Sequence, residues 1–287
     1  EQSIKRKIEA VGTPLKDWNI NIYRGVLTGY NEAFIISTEK RDEILANCQT
    51  EDERARTAEL IRPILRGRDI KRYGYNWAGL YLIATFPSCH YDIEKYPAVK
   101  KYLLGFGIER LEQTGKSHIV NGEKIKARKK TNNKWFETQD SISYWEDFFK
   151  PKVVYMEIQT DNPNKGYPFP CFSYDSRNSV ALNTAYIMCS NSVDVRYVLG
   201  ILNSTVGRMI ARLYVTQLQE RQYRMLSQYI SKFPIAKSTS KIQDEVITRV
   251  QKCLDSNSTL NEEDINRIVY QIYGFESSEI AHIENLK

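Results

Sequence analysis

Basic side chains with several hydrogen-bond donors form the clearest chemical feature of this sequence. The segment from Arg62 to Arg72 holds five basic residues in eleven positions and runs into three nearby aromatic residues. A guanidinium group fits phosphate oxygens and the two major-groove acceptors of guanine, so this segment favours contact with DNA. A solvated charged turn has the same composition, and Asp69 is an alternative partner for Arg66 or Arg68.

Two further clusters carry donors of the same kind. The first is a polar loop with basic residues from Lys124 to Lys134, suited to wrapping a phosphate backbone or entering a groove. The second runs from Gln219 to Arg224, where Gln and Arg side chains can contact adenine and guanine edges. A plain solvated loop and a helix-terminal ion-pair network are the respective alternatives. The predicted DNA-binding residues are Arg24, Arg66, Arg68, Lys71, Arg72, Lys126, Arg128, Lys129, Lys130, Lys134, Arg221 and Arg224.

Motifs for catalysis and cofactor binding are missing from the sequence. It has no Gly-x-Gly-x-x-Gly loop, no phosphate-binding Gly-x-x-x-x-Gly-Lys motif and no Gly-x-Ser-x-Gly nucleophile turn. Asn162-Pro163-Asn164 lacks the second proline and the aromatic residue with which adenine methyltransferases hold a base. We therefore expect no catalytic residue and no metal ligand here. The enzymatic alternative is a divergent metal-dependent nuclease that uses Asp147 and Glu157.

Composition and charge divide the chain into two parts. The net charge is +6, but residues 238–287 hold 5 basic and 9 acidic residues, which leaves +10 on residues 1–237. We expect a DNA target-recognition domain over 1–237 and an acidic helical segment over 238–287. The five cysteines form no Cys-x-x-Cys pair, which favours reduced thiols in the cytoplasm. No apolar run reaches the roughly 20 residues of a membrane span, so no membrane partner is expected.

Hydrophobic periodicity predicts an α+β fold with a mixed sheet, helices and a helical C-terminal segment. Strands are expected at 79–86, 152–158, 172–175 and 184–188. Helices are expected at 50–61, from residue 96, over 197–213 in two parts, and at 242–254, 261–274 and 277–286. Ser204 is predicted to cap the second part of the 197–213 pair, and Gly274 to end a helix. Gly200 is expected to allow close packing.

Several segments in this order resemble a known family. The most distinctive are Leu65-Arg66-Gly67-Arg68-Asp69-Ile70 and Leu199-Gly200-Ile201-Leu202-Asn203-Ser204. The others lie at 14–17, 24–34, 77–83, 96–100, 134–137, 150–154, 183–186, 229–230 and 233–235. Together they resemble the TaqI-like C-terminal target-recognition, or specificity, domain of type IIG restriction–modification enzymes and adenine-specific DNA methyltransferases. The resemblance covers roughly residues 13–236.

The resemblance implies a domain that binds double-stranded DNA and positions one adenine for a methyltransferase domain, and in fused enzymes a nuclease domain, of the same polypeptide. It implies that this chain, which does not begin with Met, is part of a longer protein. S-adenosylmethionine and magnesium are expected for that parent protein and not for this part. Arg66 and Arg68 are then expected to hold phosphates or the fold, and the basic loop to specify sequence. A protein-interaction module of a phage-defence protein is the remaining alternative.

Overall fold

A computed structural model describes residues 1–256 and 261–286. Within them the helices are α1 (Gln2–Val11), α2 (Asn31–Phe34), α3 (Thr38–Ala46), α4 (Glu51–Leu60), α5 (Pro97–Leu104), α6 (Ile108–Leu111), α7 (Val195–Asn203), α8 (Thr205–Tyr214), α9 (Ser227–Ile230), α10 (Ser240–Ser256), α11 (Glu262–Tyr273) and α12 (Ser277–Glu284). The strands are β1 (Gly12–Pro14), β2 (Ile20–Arg24), β3 (Ile35–Ser37), β4 (Ile61–Leu65), β5 (Leu80–Ile83), β6 (Ser117–Val120), β7 (Glu123–Lys126), β8 (Lys152–Met156), β9 (Ile158–Thr160), β10 (Phe172–Asp175), β11 (Val180–Ala181), β12 (Ala185–Ser190), β13 (Gln222–Arg224) and β14 (Pro234–Ala236). The α+β class expected from the sequence is confirmed.

Two four-stranded sheets form the centre of the molecule. One has the strand order β10-β8-β12-β2 with antiparallel pairing throughout, and its central strands β8 and β12 are almost wholly buried. The other has the order β11-β4-β5-β3, and its β11–β4 pair is parallel. Strand β8 leads directly into β9, which pairs with β13 in a separate two-stranded sheet. The sequence therefore builds one mixed assembly with a short sheet projecting from the end of β8.

The buried apolar side chains form two clusters. One is built on one side of β8 and β12 together with α1, α7, α8 and the C-terminal helices, and includes Tyr155 and Tyr197. The other joins β4 and β5 to α5 and includes Phe34 and Phe148. Strand β8 contributes to both, since Val153 and Val154 point to opposite faces. A central strand buried on both sides explains the unbroken apolar run that predicted it.

The C-terminal helices pack into the first cluster. A side chain at Gly200 of α7 would meet the Val246 and Val250 side chains of α10 at 2.7 and 3.1 Å, so the expected close approach is confirmed. The hydroxyl of Ser204 accepts a hydrogen bond from the Gly207 amide, which confirms that helix cap. Helix α11 ends at Gly274 as predicted. The acidic segment thus shares a core with residues before 238, whatever its charge.

One segment differs from the sequence-based prediction. Strand β7 extends to Lys126, inside the loop expected from Lys124 to Lys134, and pairs with β6 in an antiparallel hairpin. Pairing with a partner strand is a tertiary effect that local composition only partly encodes. The helix expected over 50–61 is confirmed, because α4 ends at Leu60, before Pro63, which lies in β4. In the part of the chain that the structure describes, no helix has the length and apolar character needed to cross a membrane.

Candidate nucleic-acid interface

Two adjoining cavities lie where β8 passes into β9. One, of about 460 Å³, is lined by Arg24, Arg68 and the Asn183–Thr184 turn; the other, of about 240 Å³, by Arg68, Lys71 and Tyr167. Met156 and Ile158 line both cavities. We call the surface formed by Arg24, Arg68, Lys71, Met156 and Ile158 the strand-end patch. It brings Arg24 together with Arg68 and Lys71, which lie more than 40 residues further along the chain.

Glu157 holds one arginine of this patch, Arg24, together with Arg224. It occupies the break between β8 and β9 and is 9% exposed. Its carboxylate lies 2.8 Å from Arg224 Nε and 3.5 Å from an Arg24 nitrogen. Both arginine side chains remain about half exposed. One carboxylate therefore fixes two guanidinium groups and leaves part of each accessible. From the sequence alone, Glu157 is a candidate only for a nuclease acid.

Asp161 plays a similar role at the base of the loop that holds Arg221. Its carboxylate, 2% exposed, lies 2.6 Å from both Arg208 and Arg212, and its amide donates to the Arg221 carbonyl. Arg221 itself is exposed and lines a third cavity together with Lys165. Tyr167 and Thr160 line this cavity and the second one, so the two are neighbours. The Gln219–Arg224 segment is thus anchored by ion pairs behind it and presents Arg221 to solvent.

Arg128 is the exception within the basic loop. Its residue is only 4% exposed, and its guanidinium donates four hydrogen bonds of 2.7–2.8 Å to the carbonyl oxygens of Thr28, Leu111, Trp135 and Glu137. It also lies 4.9 Å from the centre of the Phe34 ring. Burial lowers the pKa of Arg128 to about 10. Four of its five N–H donors are taken by these carbonyls and the residue is almost wholly buried, so we leave Arg128 out of the proposed interface.

The lysines around Arg128 are placed differently. Lys126, Lys129, Lys130 and Lys134 are exposed. Burial raises the pKa of Asp140, and the charges of Arg24 and Lys129 act against that rise. The amides of Gln139 and Asp140 donate to the Leu27 carbonyl, and Arg128 donates to the Thr28 carbonyl, so the residues around the basic loop pack against the segment that follows Arg24. The basic loop and the strand-end patch are therefore neighbours.

Two other predicted DNA-binding arginines are held by acids. The Arg66 guanidinium contacts Asp69 at 2.8 Å, the structural pairing that the sequence left open, and this hydrogen bonding raises the pKa of Arg66. Arg72 contacts Glu262 at 2.7 Å and also donates to the carbonyls of Pro170 and Asn203. Arg72 thus ties the segment after β4 to α11, and we leave it out of the interface as well.

The acids of the nuclease alternative have different basic partners. Asp147 forms an ion pair with Lys150, whereas Glu157 pairs with Arg24 and Arg224. Among the described residues there is no group of three or more His, Cys, Asp or Glu side chains arranged to hold a metal ion. All five cysteines are free thiols. The exposed lysines and half-exposed arginines offer charge and hydrogen-bond donors for a polyanion.

Comparison with known proteins identifies the family of this chain. The model of the TaqI-like C-terminal specificity domain matches residues 62–235. The chain belongs to this family, as its sequence motifs indicated. The type II methyltransferase M.XhoI of Xanthomonas vasicola is 25% identical over 225 residues, covering 76% of this chain and 36% of that protein. The type II methyltransferase M.PaeR7I of Pseudomonas aeruginosa is 21% identical, covering 97% and 42% respectively.

Solved structures share the fold. The type IIL restriction–modification enzyme MmeI, determined in complex with DNA, superposes with a TM-score of 0.59 at 15% identity over 92% of this chain. The type IIG restriction endonuclease BpuSI superposes with a TM-score of 0.52 at 11% identity over 95%. This chain spans 34% and 33% of those two proteins, and less than half of each methyltransferase. The similarity therefore concerns one part of larger proteins.

Proposed function

We propose that this chain binds a specific sequence of duplex DNA as the target-recognition part of a restriction–modification protein. The observation that carries the proposal is the set of exposed basic residues of the strand-end patch and of the neighbouring basic loop, on a fold of the specificity-domain family. Exposed lysines and half-exposed arginines supply phosphate contacts. Each contact releases counterions that are condensed on the DNA, so binding is sensitive to salt. The interface comprises Arg24, Arg66, Arg68, Lys71, Lys126, Lys129, Lys130, Lys134, Arg221 and Arg224.

The chemistry belongs, in this proposal, to other parts of the same polypeptide. A methyltransferase domain would bind S-adenosylmethionine and modify an adenine of the site, and a fused nuclease domain would use magnesium. No catalytic step is assigned to the residues of this chain. The relatives named as methyltransferases support this division, because the chain aligns with only part of each. We place the protein in the cytoplasm, where its free cysteines stay reduced.

Salt-dependent binding of randomised duplex DNA tests the proposal. The whole chain would be titrated against a fluorescent 30-base-pair pool at several salt concentrations. The logarithm of the binding constant falls linearly with the logarithm of the salt concentration, and each lost phosphate contact makes this slope shallower by about 0.9. Lys129→Ala/Lys130→Ala should therefore make it shallower by about 1.8. The matched control is Lys5→Ala/Lys241→Ala, which removes two exposed lysines of α1 and α10. Equal slopes for both double variants would remove the basic loop from the interface, and absence of binding at low salt would contradict the function.

A further inference from the structure

We propose that the hairpin of β6 and β7 is a two-stranded ribbon that enters the major groove of DNA and places Ile119 against base edges. This inference rests on the proposed function, since it names the part of the chain that reads the duplex. It rests on four features of the hairpin: which side chains share a face, how exposed Ile119 is, how the hairpin is held, and its size and charge.

Strand register assigns the side chains to two faces. Residues directly opposite each other in an antiparallel pair point to the same face, and alternate residues along a strand share it. The pairs Ser117–Lys126 and Ile119–Lys124 therefore form one face, and every one of these residues is exposed. The other face carries His118, Val120, Glu123 and Ile125. Its apolar members are partly covered, and β7 packs against α6 on the protein side.

Ile119 lies on the exposed face of the hairpin, where a polar side chain would be expected if the hairpin had no binding role. It is 71% exposed, more than any other large apolar side chain in the described part of the chain. Val120 and Ile125 follow the usual rule and turn towards the protein. Ile119 instead stands opposite Lys124, with Lys126 two residues further along the same face. An apolar side chain beside two cations suits contact with a thymine methyl group while the cations hold nearby phosphates.

The hairpin is held rigidly enough to present this face. Its two-residue turn, Asn121-Gly122, has φ values of 51° and 82°. Positive φ at both central residues is the type I′ geometry, whose twist matches that of the strands. At the open end, Ala127 donates to the Lys116 carbonyl and Gly115 donates to the Arg128 carbonyl. The open end of the hairpin is therefore fixed to Arg128, whose buried guanidinium contacts three separate segments of the chain.

The size and charge of the hairpin fit the major groove of DNA. Two strands about 4.8 Å apart with their side chains fit a groove about 12 Å wide but not one about 6 Å wide. Four residues of strand reach about 13 Å, enough to cross the roughly 8.5 Å depth of the major groove. The hairpin and its base carry Lys116, Lys124, Lys126, Lys129 and Lys130, against a single acidic residue, Glu123, in the hairpin itself. That charge complements a polyanion.

The first test removes the two lysines of the outward face. Lys124→Gln/Lys126→Gln and the matched control Lys5→Gln/Lys241→Gln would be titrated against the randomised duplex pool over a salt series. The hairpin variant is expected to lose about 1.8 from the slope, two phosphate contacts, while the control keeps the wild-type slope. Thermal unfolding must be unchanged in both, since all four lysines are exposed. A wild-type slope in the hairpin variant overturns the ribbon and leaves the proposed function standing.

The second test concerns Ile119 and the thymine methyl group. Two randomised pools would be compared, one containing thymidine and one containing deoxyuridine, which lacks the C5 methyl. The wild-type chain is expected to favour the thymidine pool about threefold and Ile119→Thr to bind both equally, while Val11→Thr, the control for an exposed apolar side chain, keeps the preference. A preference that survives in Ile119→Thr, or none in the wild type, overturns the base contact. Failure to bind either pool at low salt overturns the proposed function together with the ribbon.

Discussion

Replacement of Arg128 by methionine is expected to destabilise the whole chain, whereas Lys129→Met, one residue later, should leave its stability unchanged. The two side chains are adjacent and both basic, but the first is buried and the second is exposed. Arg128 therefore anchors the basic loop, and Lys129 faces the proposed DNA. The pair of variants separates the two roles.

The magnitude follows from the four carbonyl oxygens that Arg128 satisfies. The Glu137 carbonyl keeps the Gln113 amide at 3.0 Å, so three carbonyls, those of Thr28, Leu111 and Trp135, lose the guanidinium as partner. A buried polar group without a partner costs about 1–3 kcal/mol. Because methionine also removes a buried charge that has no carboxylate within an ion-pair distance, the lower end applies. We expect about 3 kcal/mol in total.

Two measurements check the expected loss. For a chain of this size 1 kcal/mol corresponds to about 2 °C, so Arg128→Met should unfold about 6 °C below the wild type. Amide hydrogen exchange should accelerate in residues 115–134, which the anchor holds. Lys129→Met should stay within about 0.5 kcal/mol of the wild type and lose about 0.9 from the DNA salt slope. The reasoning is refuted if Arg128→Met keeps wild-type stability while its salt slope falls as that of Lys129→Met does.

Three further perturbations follow from buried and interfacial charges. Burial raises the pKa of Asp175, but the charge of Lys152 and its hydrogen bond lower it further, so that the pKa lies below 3.8. The ion pair therefore stabilises the folded chain fully above that pH, and this stabilisation is lost as the pH falls through the lowered pKa. Asp175→Asn should therefore cost about 3–5 kcal/mol at pH 7, with a deficit that shrinks below about pH 4 in urea unfolding; a pH-independent deficit contradicts this. Glu157→Gln removes one negative charge between two arginines and should tighten binding of random duplex about threefold at 50 mM salt in anisotropy titrations, with weaker binding as the contrary result. Truncation after Lys237 removes α10–α12 from the first core and should abolish cooperative thermal unfolding; a sharp transition in the shortened chain would show instead that residues 1–237 fold alone.

Local elements could be predicted from the sequence because their signals are local. The apolar run of β8, the cap at Ser204 and the end of α11 at Gly274 each depend on neighbouring residues, and the structure confirms them. The hairpin of β6 and β7 was missed although Asn121-Gly122 is a strong turn signal, because the lysines around it suggested an exposed loop. The composition of this segment correctly predicts that it is exposed, but it does not indicate that β6 and β7 pair.

The functional face was harder to predict, because partners distant in the chain decide which bases are available. Arg72 is bound by Glu262, which lies 190 residues away, and Arg128 by the carbonyl of Thr28, 100 residues away. No local pattern distinguishes Arg128 from Lys129 or Lys130. The role of Glu157 could not be predicted from its neighbours either, because its partners Arg24 and Arg224 lie far before and far after it in the chain.

Selection from a randomised duplex pool tests sequence recognition by this chain most directly. The purified chain would capture duplexes at several salt concentrations, and the captured DNA would be sequenced. We expect enrichment of one short sequence, with Lys129→Ala/Lys130→Ala reducing affinity most at low salt, where the lost phosphate contacts contribute most. Tight binding to a partner protein with no capture of duplex at low salt would contradict the account and favour a protein-interaction module.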